Sequence, residues 1–198
     1  MKKLITGPTV EPITLAQAKA HLRVDFTDDD LWITSAIVGC RLYAEKFMGR
    51  ALVQQTWELS LDEFPEDEIE IPLPPLQSIV SVKYDDVGGV EQTISASSYR
   101  VDTYSEPGRV FPTSSWPSTL DKNNVVRVRF IAGYPSTLDS PDNLVDMIPQ
   151  SIKNAILLHI GMLYANREQS IVGTTAVILP WGGADELLRQ FLVEVAMA

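Results

Sequence analysis

An uncharged apolar stretch near the C-terminal end constrains the fold of this chain most strongly. Residues 155–165 carry no charge, and only three of them interrupt an aliphatic run. A helix that is apolar on all sides lies either in a membrane or at the centre of a globular domain. A membrane span needs about 20 apolar residues, whereas this run is shorter and is bounded by Lys153 and Arg167. We therefore predict a buried central helix over residues 149–168 and no membrane segment.

This central helix should direct residues at helical spacing into the core. A histidine among them is expected to be a satisfied interior or interface residue, because buried polar groups find partners. The candidate core residues of the helix are Ile152, Ile156, His159, Ile160 and Leu163.

Two helices are predicted in the first quarter of the chain. Thr14 and Gln17 have the spacing of a capping box, which predicts a helix over residues 15–23. Thr27 precedes three aspartates and suits an N-cap, so a longer helix is predicted over residues 28–48. We assign the aspartates to helix capping, because a calcium loop needs alternate spacing, a turn glycine and a distal glutamate.

The second helix has one apolar face and one polar face. Its predicted solvent face carries Arg41, Glu45 and Lys46. Its predicted buried face carries Ile33, Ile37, Cys40, Ala44 and Phe47.

A last helix is predicted over residues 185–197, where apolar residues form one stripe. This stripe either completes the core of the chain or docks into a partner, as helices do in groove recognition. The candidate interface residues are Trp181, Leu187, Leu188, Phe191, Leu192 and Val195.

Residues 53–133 show the period-two alternation of β-strands. About six short strands are predicted there, and the Asp86-Val-Gly-Gly89 segment indicates a hairpin turn. Helices and strands are segregated along the chain, which indicates the α+β class. We predict a helical bundle with an inserted small antiparallel β-subdomain at 53–133, within a single domain over 1–198.

The composition argues against several classes of function. A formal net charge of −10 disfavours a nucleic-acid-binding protein, which needs a Lys/Arg footprint. The single cysteine, Cys40, excludes an internal disulfide, and its place on a buried helix face favours an inert thiol. With only two histidines and one cysteine, widely separated, a zinc site is not expected. We therefore predict no metal and no cofactor.

No nucleophile elbow or phosphate-binding glycine loop is present, so we expect the protein not to be an enzyme. An acid-dependent hydrolase that uses Glu68 and Glu70 remains a remote alternative.

A series of short motifs, in order along nearly the whole chain, carries a family resemblance. They are ITLAQAKAHLRV at 13–24, DDDL at 28–31, AEKFMGR at 44–50, QTW at 55–57, IPLPPL at 71–76, SYRVD at 98–102, FIAGY at 130–134, IPQSIKNAILL at 148–158, NRE at 166–168 and LPWG at 179–182. With these motifs the chain resembles the tailed-phage head–tail connector family, also called head-completion or adaptor proteins.

The resemblance implies a structural virion protein and no catalysis. Such proteins form a ring of about twelve copies on the portal of the filled capsid. The ring extends the DNA channel, which DNA crosses without sequence-specific binding, and offers a platform to the next tail-side protein. The expected location is the head–tail junction of the virion, after synthesis in the host bacterial cytoplasm. The alternative is a tail-completion or other phage assembly module of low copy number.

Overall fold

The computed structural model describes residues 1–135, 147–167 and 183–193. The chain divides into two compact units. Residues 1–9 and 53–135 form a β-rich unit, and residues 10–52 form a helical unit with the described residues that follow 135. Together the elements are of mixed α+β type, as predicted.

The β-rich unit contains two antiparallel sheets. Their strands are β1 (Lys2–Thr6), β2 (Gln55–Leu61), β3 (Ile69–Ile71), β4 (Leu76–Asp85), β5 (Glu91–Ile94), β6 (Tyr99–Asp102), β7 (Gly108–Pro112) and β8 (Val126–Ala132). The larger sheet has the order β1-β2-β8-β4-β5, and the smaller sheet has the order β3-β7-β6.

Strand β8 lies at the centre of the larger sheet and shows the predicted alternation. Arg127 and Arg129 point to one face of the sheet and are half-buried. Val126, Val128 and Phe130 alternate with them and are fully buried. Side chains of a strand point alternately to opposite faces, so this apolar face of β8 forms the core of the unit.

Two strands were not expected from the sequence. Strand β1 lies in a segment without an assigned element, and β7 lies in a stretch interpreted as a loop because it is rich in Pro, Ser, Thr and Asn. Both segments are strands because they pair with other strands: β1 pairs with β2, and β7 pairs with β3 and β6. Pairing supplies what local sequence preference does not.

Gly133 allows a close approach of two backbone segments just after β8. It has a φ of +104°, a conformation that residues with a Cβ rarely adopt. A Cβ on this residue would lie 2.2 Å from the carbonyl oxygen of Val53. Only glycine therefore fits this position without displacing the backbone.

The helical unit contains α1 (Leu15–Leu22), α2 (Asp30–Met48), α3 (Gln150–Ala165) and α4 (Gly183–Arg189). The predicted capping box of α1 is confirmed. The Thr14 hydroxyl accepts the Gln17 backbone N–H at 3.1 Å, and the Gln17 side chain accepts the Thr14 N–H at 2.9 Å.

Helix α2 begins at Asp30, two residues later than predicted, and the assignment of Thr27 as its N-cap is wrong. The aspartates also do not cap it through their side chains. Asp30 instead accepts a charged hydrogen bond from Lys19 of α1 at 2.6 Å, and Asp29 binds two side chains of the α3 end. Tertiary partners thus replace the capping interactions that the local sequence favours.

The predicted solvent face of α2 is partly wrong, because Arg41 and Glu45 are buried. Arg41 donates to Glu11 at 2.7 Å and to Glu45 at 2.8 Å, and Glu45 also accepts the Leu52 N–H at 2.9 Å. A buried charge is tolerated when it is paired and hydrogen-bonded. Glu11, from outside the helix, supplies the partner that periodicity cannot show.

Helix α3 is not buried on all sides, contrary to the prediction. Ile152, Ile156 and Ile160 are fully buried. Leu163, predicted in the core, is 41% exposed, although its spacing places it on the face of the three isoleucines; it lies in the last turn of α3, where the described residues after Ile160 are all half-buried or exposed. The helix is thus apolar on both its buried and its exposed sides.

Candidate protein-interaction site

One leucine of α4 is buried against the rest of the helical unit. Leu188 is fully buried, whereas the neighbouring Leu187 is half-buried and Glu186 is exposed. The stripe predicted for the last helix therefore contributes at least one residue to the core of its own chain.

The chain leaves the helical path after Arg189, so the predicted extension of α4 through residues 190–193 is wrong; residues 194–197 of the prediction lie outside the described part. The Val193 N–H donates to the Met48 carbonyl at 2.9 Å. Arg50 donates to the Phe191 carbonyl at 2.7 Å. The last carbonyls of a helix lack intrahelical partners, so the C-terminal segment supplies a donor to the end of α2 instead of continuing α4.

One carboxylate joins three helices of the unit. Asp185 of α4 accepts the Tyr43 hydroxyl of α2 at 3.0 Å and lies 3.2 Å from Nε2 of His159 in α3. The rings of Tyr43 and His159 meet edge to face with centroids 4.9 Å apart. Burial and the hydrogen bond to Asp185 raise the pKa of Tyr43.

The two ring nitrogens of His159 differ in their surroundings. Its side chain is 12% exposed, and its Nδ1 is buried without a hydrogen-bond partner in the described structure. Both nitrogens of an imidazole ring can take part in hydrogen bonds, and among the described residues Asp185 is near Nε2 while Nδ1 has no partner.

A cavity of about 590 Å³ lies beside this junction. Its walls are mostly apolar and come from α2, α3 and α4, including Cys40, Leu158, Met162, Leu163 and Ala184. Burial raises the pKa of the Cys40 thiol to about 11, so the thiol stays protonated at neutral pH and does not act as a nucleophile. The cavity is chemically suited to receive an apolar side chain.

The described members of the predicted interface differ in burial. Leu188 is core, which corrects its assignment as an interface residue, because a fully buried side chain cannot reach a partner without unfolding. Phe191 is half-buried and Leu192 is 43% exposed. Trp181 and Val195 lie outside the described residues.

The exposed apolar residues of α3 were missed by sequence reasoning. Leu158, Met162 and Leu163 are 43%, 57% and 41% exposed. A signal was available: a helix of a small globular domain buries one stripe, so apolar residues on every side indicate a second apolar surface.

A second junction ties the start of α2 to the end of α3. Asp29 accepts the Tyr164 hydroxyl at 2.5 Å and Arg167 at 2.8 Å. The Arg167 guanidinium also lies 5.0 Å from the ring centroid of Trp32 and 4.7 Å from that of Tyr164. These two hydrogen bonds lower the pKa of Asp29, and the cluster fixes the orientation of both helices.

The two carboxylates considered for hydrolysis lie beside one arginine. The Glu68 carboxylate binds Arg109 at 3.0 Å, and Arg109 is also the cross-strand neighbour of Glu70. Within residues 1–135, 147–167 and 183–193, no group of His, Cys, Asp and Glu is arranged to hold a metal ion. None of the described helices is long and apolar enough to cross a membrane.

Comparison with known proteins gives a matching family model and a shared fold. The family model described as phage gp6-like head-tail connector protein matches residues 12–107. A comparison with curated protein sequences gives no significant match.

Three solved structures are similar over the whole chain. A chain in the virion of a native gene transfer agent particle has 20% identity and a TM-score of 0.79. A chain in the neck of the empty particle has 20% identity and a TM-score of 0.78. A chain in the neck of the native particle, computed with C12 symmetry, has 19% identity and a TM-score of 0.73. Each match covers 100% of this chain and 98% of the other.

Proposed function

Since this chain belongs to the phage head-tail connector family, whose model matches residues 12–107, we propose that it forms a ring at the head–tail junction of the virion. The ring binds the portal, extends the DNA channel and presents the platform for the next tail-side protein. The observation that carries this proposal is the family match, joined to a fold shared over the full length with a particle-neck protein.

The ring acts as a structural part and not as an enzyme. The Glu68 carboxylate is held by Arg109, and the Cys40 thiol has a pKa of about 11, so neither group is prepared for catalysis. The protein is made in the host cytoplasm and reaches its place during virion assembly. Its partners are further copies of the same chain, the portal and the next tail-side protein.

The acidic character of the chain supports a passage for DNA without specific binding. The formal net charge is −10, and a wall with surplus carboxylates repels phosphates instead of holding them. DNA then moves through the channel without sequence-specific contacts.

The two units take different parts in this proposal. The helical unit forms the wall of the ring, and residues 53–133 act as an inserted β-rich subdomain of the single connector domain, reaching neighbouring copies. The helices of the wall together form the predicted bundle.

The portal-binding surface lies around the C-terminal segment. Leu192 is 43% exposed, and Leu187 and Phe191 are half-buried, so all three can lose further area to a partner. Trp181 and Val195 belong to the same proposed surface by their sequence positions. Leu188 is left out of it, because it is fully buried.

Mass measurement of the chain, alone and mixed with the cognate portal, tests the proposal. Native mass spectrometry or light scattering should show a ring species near twelve copies in one of the two samples. A chain that stays monomeric and ignores the portal contradicts the ring, and favours the tail-completion module of low copy number.

A further inference from the structure

The larger sheet of the β-rich unit has two open edges. Every residue of β1 is exposed, and three of the four residues of β5 are exposed. In the described part of the chain, no further strand or backbone hydrogen bond covers the outer side of either strand. An edge strand with free N–H and C=O groups is a template for pairing with another chain.

The backbone pattern of β1 shows which of its groups point outward. The Ser60 N–H donates to the Met1 carbonyl at 2.8 Å, which makes Met1 and Ser60 a hydrogen-bonded pair. Hydrogen-bonded and non-hydrogen-bonded pairs alternate along an antiparallel ladder. Lys3 therefore bonds to β2, whereas Lys2 and Leu4 direct their N–H and C=O groups away from the sheet.

The same reasoning applies to β5. The Asp86 N–H donates to the Val90 carbonyl at 3.0 Å, so the hydrogen-bonded pairs that follow are Tyr84 with Gln92 and then Val82 with Ile94. Thr93 lies between them, and its N–H and C=O point outward. At both edges, every second residue thus points its backbone N–H and C=O away from the sheet, where another strand can bind them.

The charges of the two edges favour the pairing of β1 with β5 over the pairing of β1 with a second β1. Strand β1 carries Lys2 and Lys3, so two copies of β1 side by side would place lysines together. Beside β5, Glu91 pairs with Lys83 and Arg127, while the described partners of the Asp86 carboxylate are the N–H groups of Gly88, Val90 and the Gln92 side chain. Like charges that face each other across strands are destabilising.

Exposed apolar side chains accompany both edges. Leu4 and Ile5 of β1 are 43% and 38% exposed, and Val87 and Val90 of the hairpin before β5 are 70% and 58% exposed. Apolar residues at both edges add burial to the backbone hydrogen bonds when two edges meet.

We propose that β1 of one copy pairs with β5 of the next copy, so that the larger sheets join edge to edge around the ring. This inference rests on the proposed function, because it names the contact between copies in that ring. Four antiparallel steps separate β1 from β5, so the two strands run in the same direction and pair in parallel between copies that keep their orientation. Different surfaces then meet at each contact, as ring closure requires.

Disulfide trapping tests this contact. In a parallel ladder, a residue with its N–H and C=O pointing outward lies opposite a residue that bonds to its own sheet, so Thr93 faces Lys3 or a residue two positions from it. In a Cys40→Ala background, Lys3→Cys is combined with Thr93→Cys, and a second pair, Lys3→Cys with Glu91→Cys, covers a register shifted by two residues. Mild oxidation of the chain with the cognate portal should give a ladder of covalent oligomers on a non-reducing gel. Each single-cysteine variant is the matched control, because one cysteine per copy gives dimers at most.

Thr93→Pro tests the same contact without cysteines. Proline removes the outward N–H that the neighbour needs, while the bonds between β4 and β5 come from the flanking residues. Ring assembly should weaken at least tenfold, and Thr93→Val, which keeps the N–H and the β-branched shape, should assemble normally. Circular dichroism and the melting temperature establish that both variants are folded; if Thr93→Pro is unfolded, the disulfide ladder alone decides.

The outcomes separate this contact from the ring itself. If the unmodified chain forms rings but neither cysteine pair gives a ladder, the edge pairing is wrong and the proposed function stands. Rings from Thr93→Pro at unchanged concentration also overturn the pairing. If the unmodified chain forms no ring with or without the portal, the proposed function fails, and the edge pairing fails with it.

Discussion

Two leucines of the C-terminal segment should respond very differently to the same truncation. Leu188 is fully buried and Leu192 is 43% exposed. Leu→Ala at a buried site costs about 2–5 kcal/mol, which includes the cavity left behind. Complete burial of a leucine is worth about 1.5–3 kcal/mol, and Leu192 retains nearly half of its exposure, so Leu192→Ala should cost only about 1 kcal/mol.

Urea denaturation followed by circular dichroism at 222 nm measures the difference, because all described α-helices belong to the helical unit. With a slope of about 2 kcal/mol per molar urea, Leu188→Ala should lower the midpoint by about 1–2.5 M. Leu192→Ala should lower it by about 0.5 M under the same assumption. The two variants are matched controls, since the removed atoms are identical.

Binding to the portal should show the reverse order. Leu192→Asp keeps the core intact and should weaken portal binding at least tenfold, whereas folded Leu188→Ala should retain it. The reasoning is refuted if Leu188→Ala changes the midpoint no more than Leu192→Ala does, or if Leu192→Asp binds the portal normally. In the first case Leu188 is not core, and in the second Leu192 is not part of the binding surface.

Other residues allow sharp tests of the structure. Gly133→Ala should destabilise the β-rich unit by about 2 kcal/mol or more, because its Cβ meets the Val53 carbonyl. Gly39→Ala, with open space at its Cβ in α2, should stabilise by about 0.5–1 kcal/mol; equal midpoints in thermal unfolding would contradict both expectations. The folded-state pKa of Asp29 is below its ordinary value of 3.8, so its carboxylate stabilises the fold above that pH and loses the effect as the pH falls through the lowered pKa. Asp29→Asn should therefore lower the urea midpoint at pH 7, and its difference from the unmodified chain should shrink below pH 3.8; a constant difference would show that the charge is not involved. Cys40 should react with a thiol reagent at pH 8 only after denaturation, since it is buried with a pKa of about 11, and rapid labelling of the folded chain would refute that assignment.

Local patterns predicted much of the secondary structure. The capping box at Thr14, the end of α2 at Met48 and the alternation in β8 each depend on neighbours in sequence, and the structure confirms them. Such signals are short-range, and in these three cases the tertiary structure agrees with them. The family motifs likewise indicated a connector before any fold was known.

The errors share one cause, which is a partner distant in sequence. Asp29 was expected to cap α2 but binds Tyr164 and Arg167, more than 130 positions away. Arg41 was expected on the surface but is enclosed with Glu11. Neither partner is visible in the periodicity of the helix itself.

The amino-acid pattern was sufficient for the fold class and most element positions, because those follow from periodicity, caps and the residue types present. The division of the C-terminal stripe into a buried Leu188 and an exposed Leu192, and the two open edges of one sheet, required the packed chain. Whether an apolar residue is core or surface depends on what lies across from it, and that is set by contacts between distant segments.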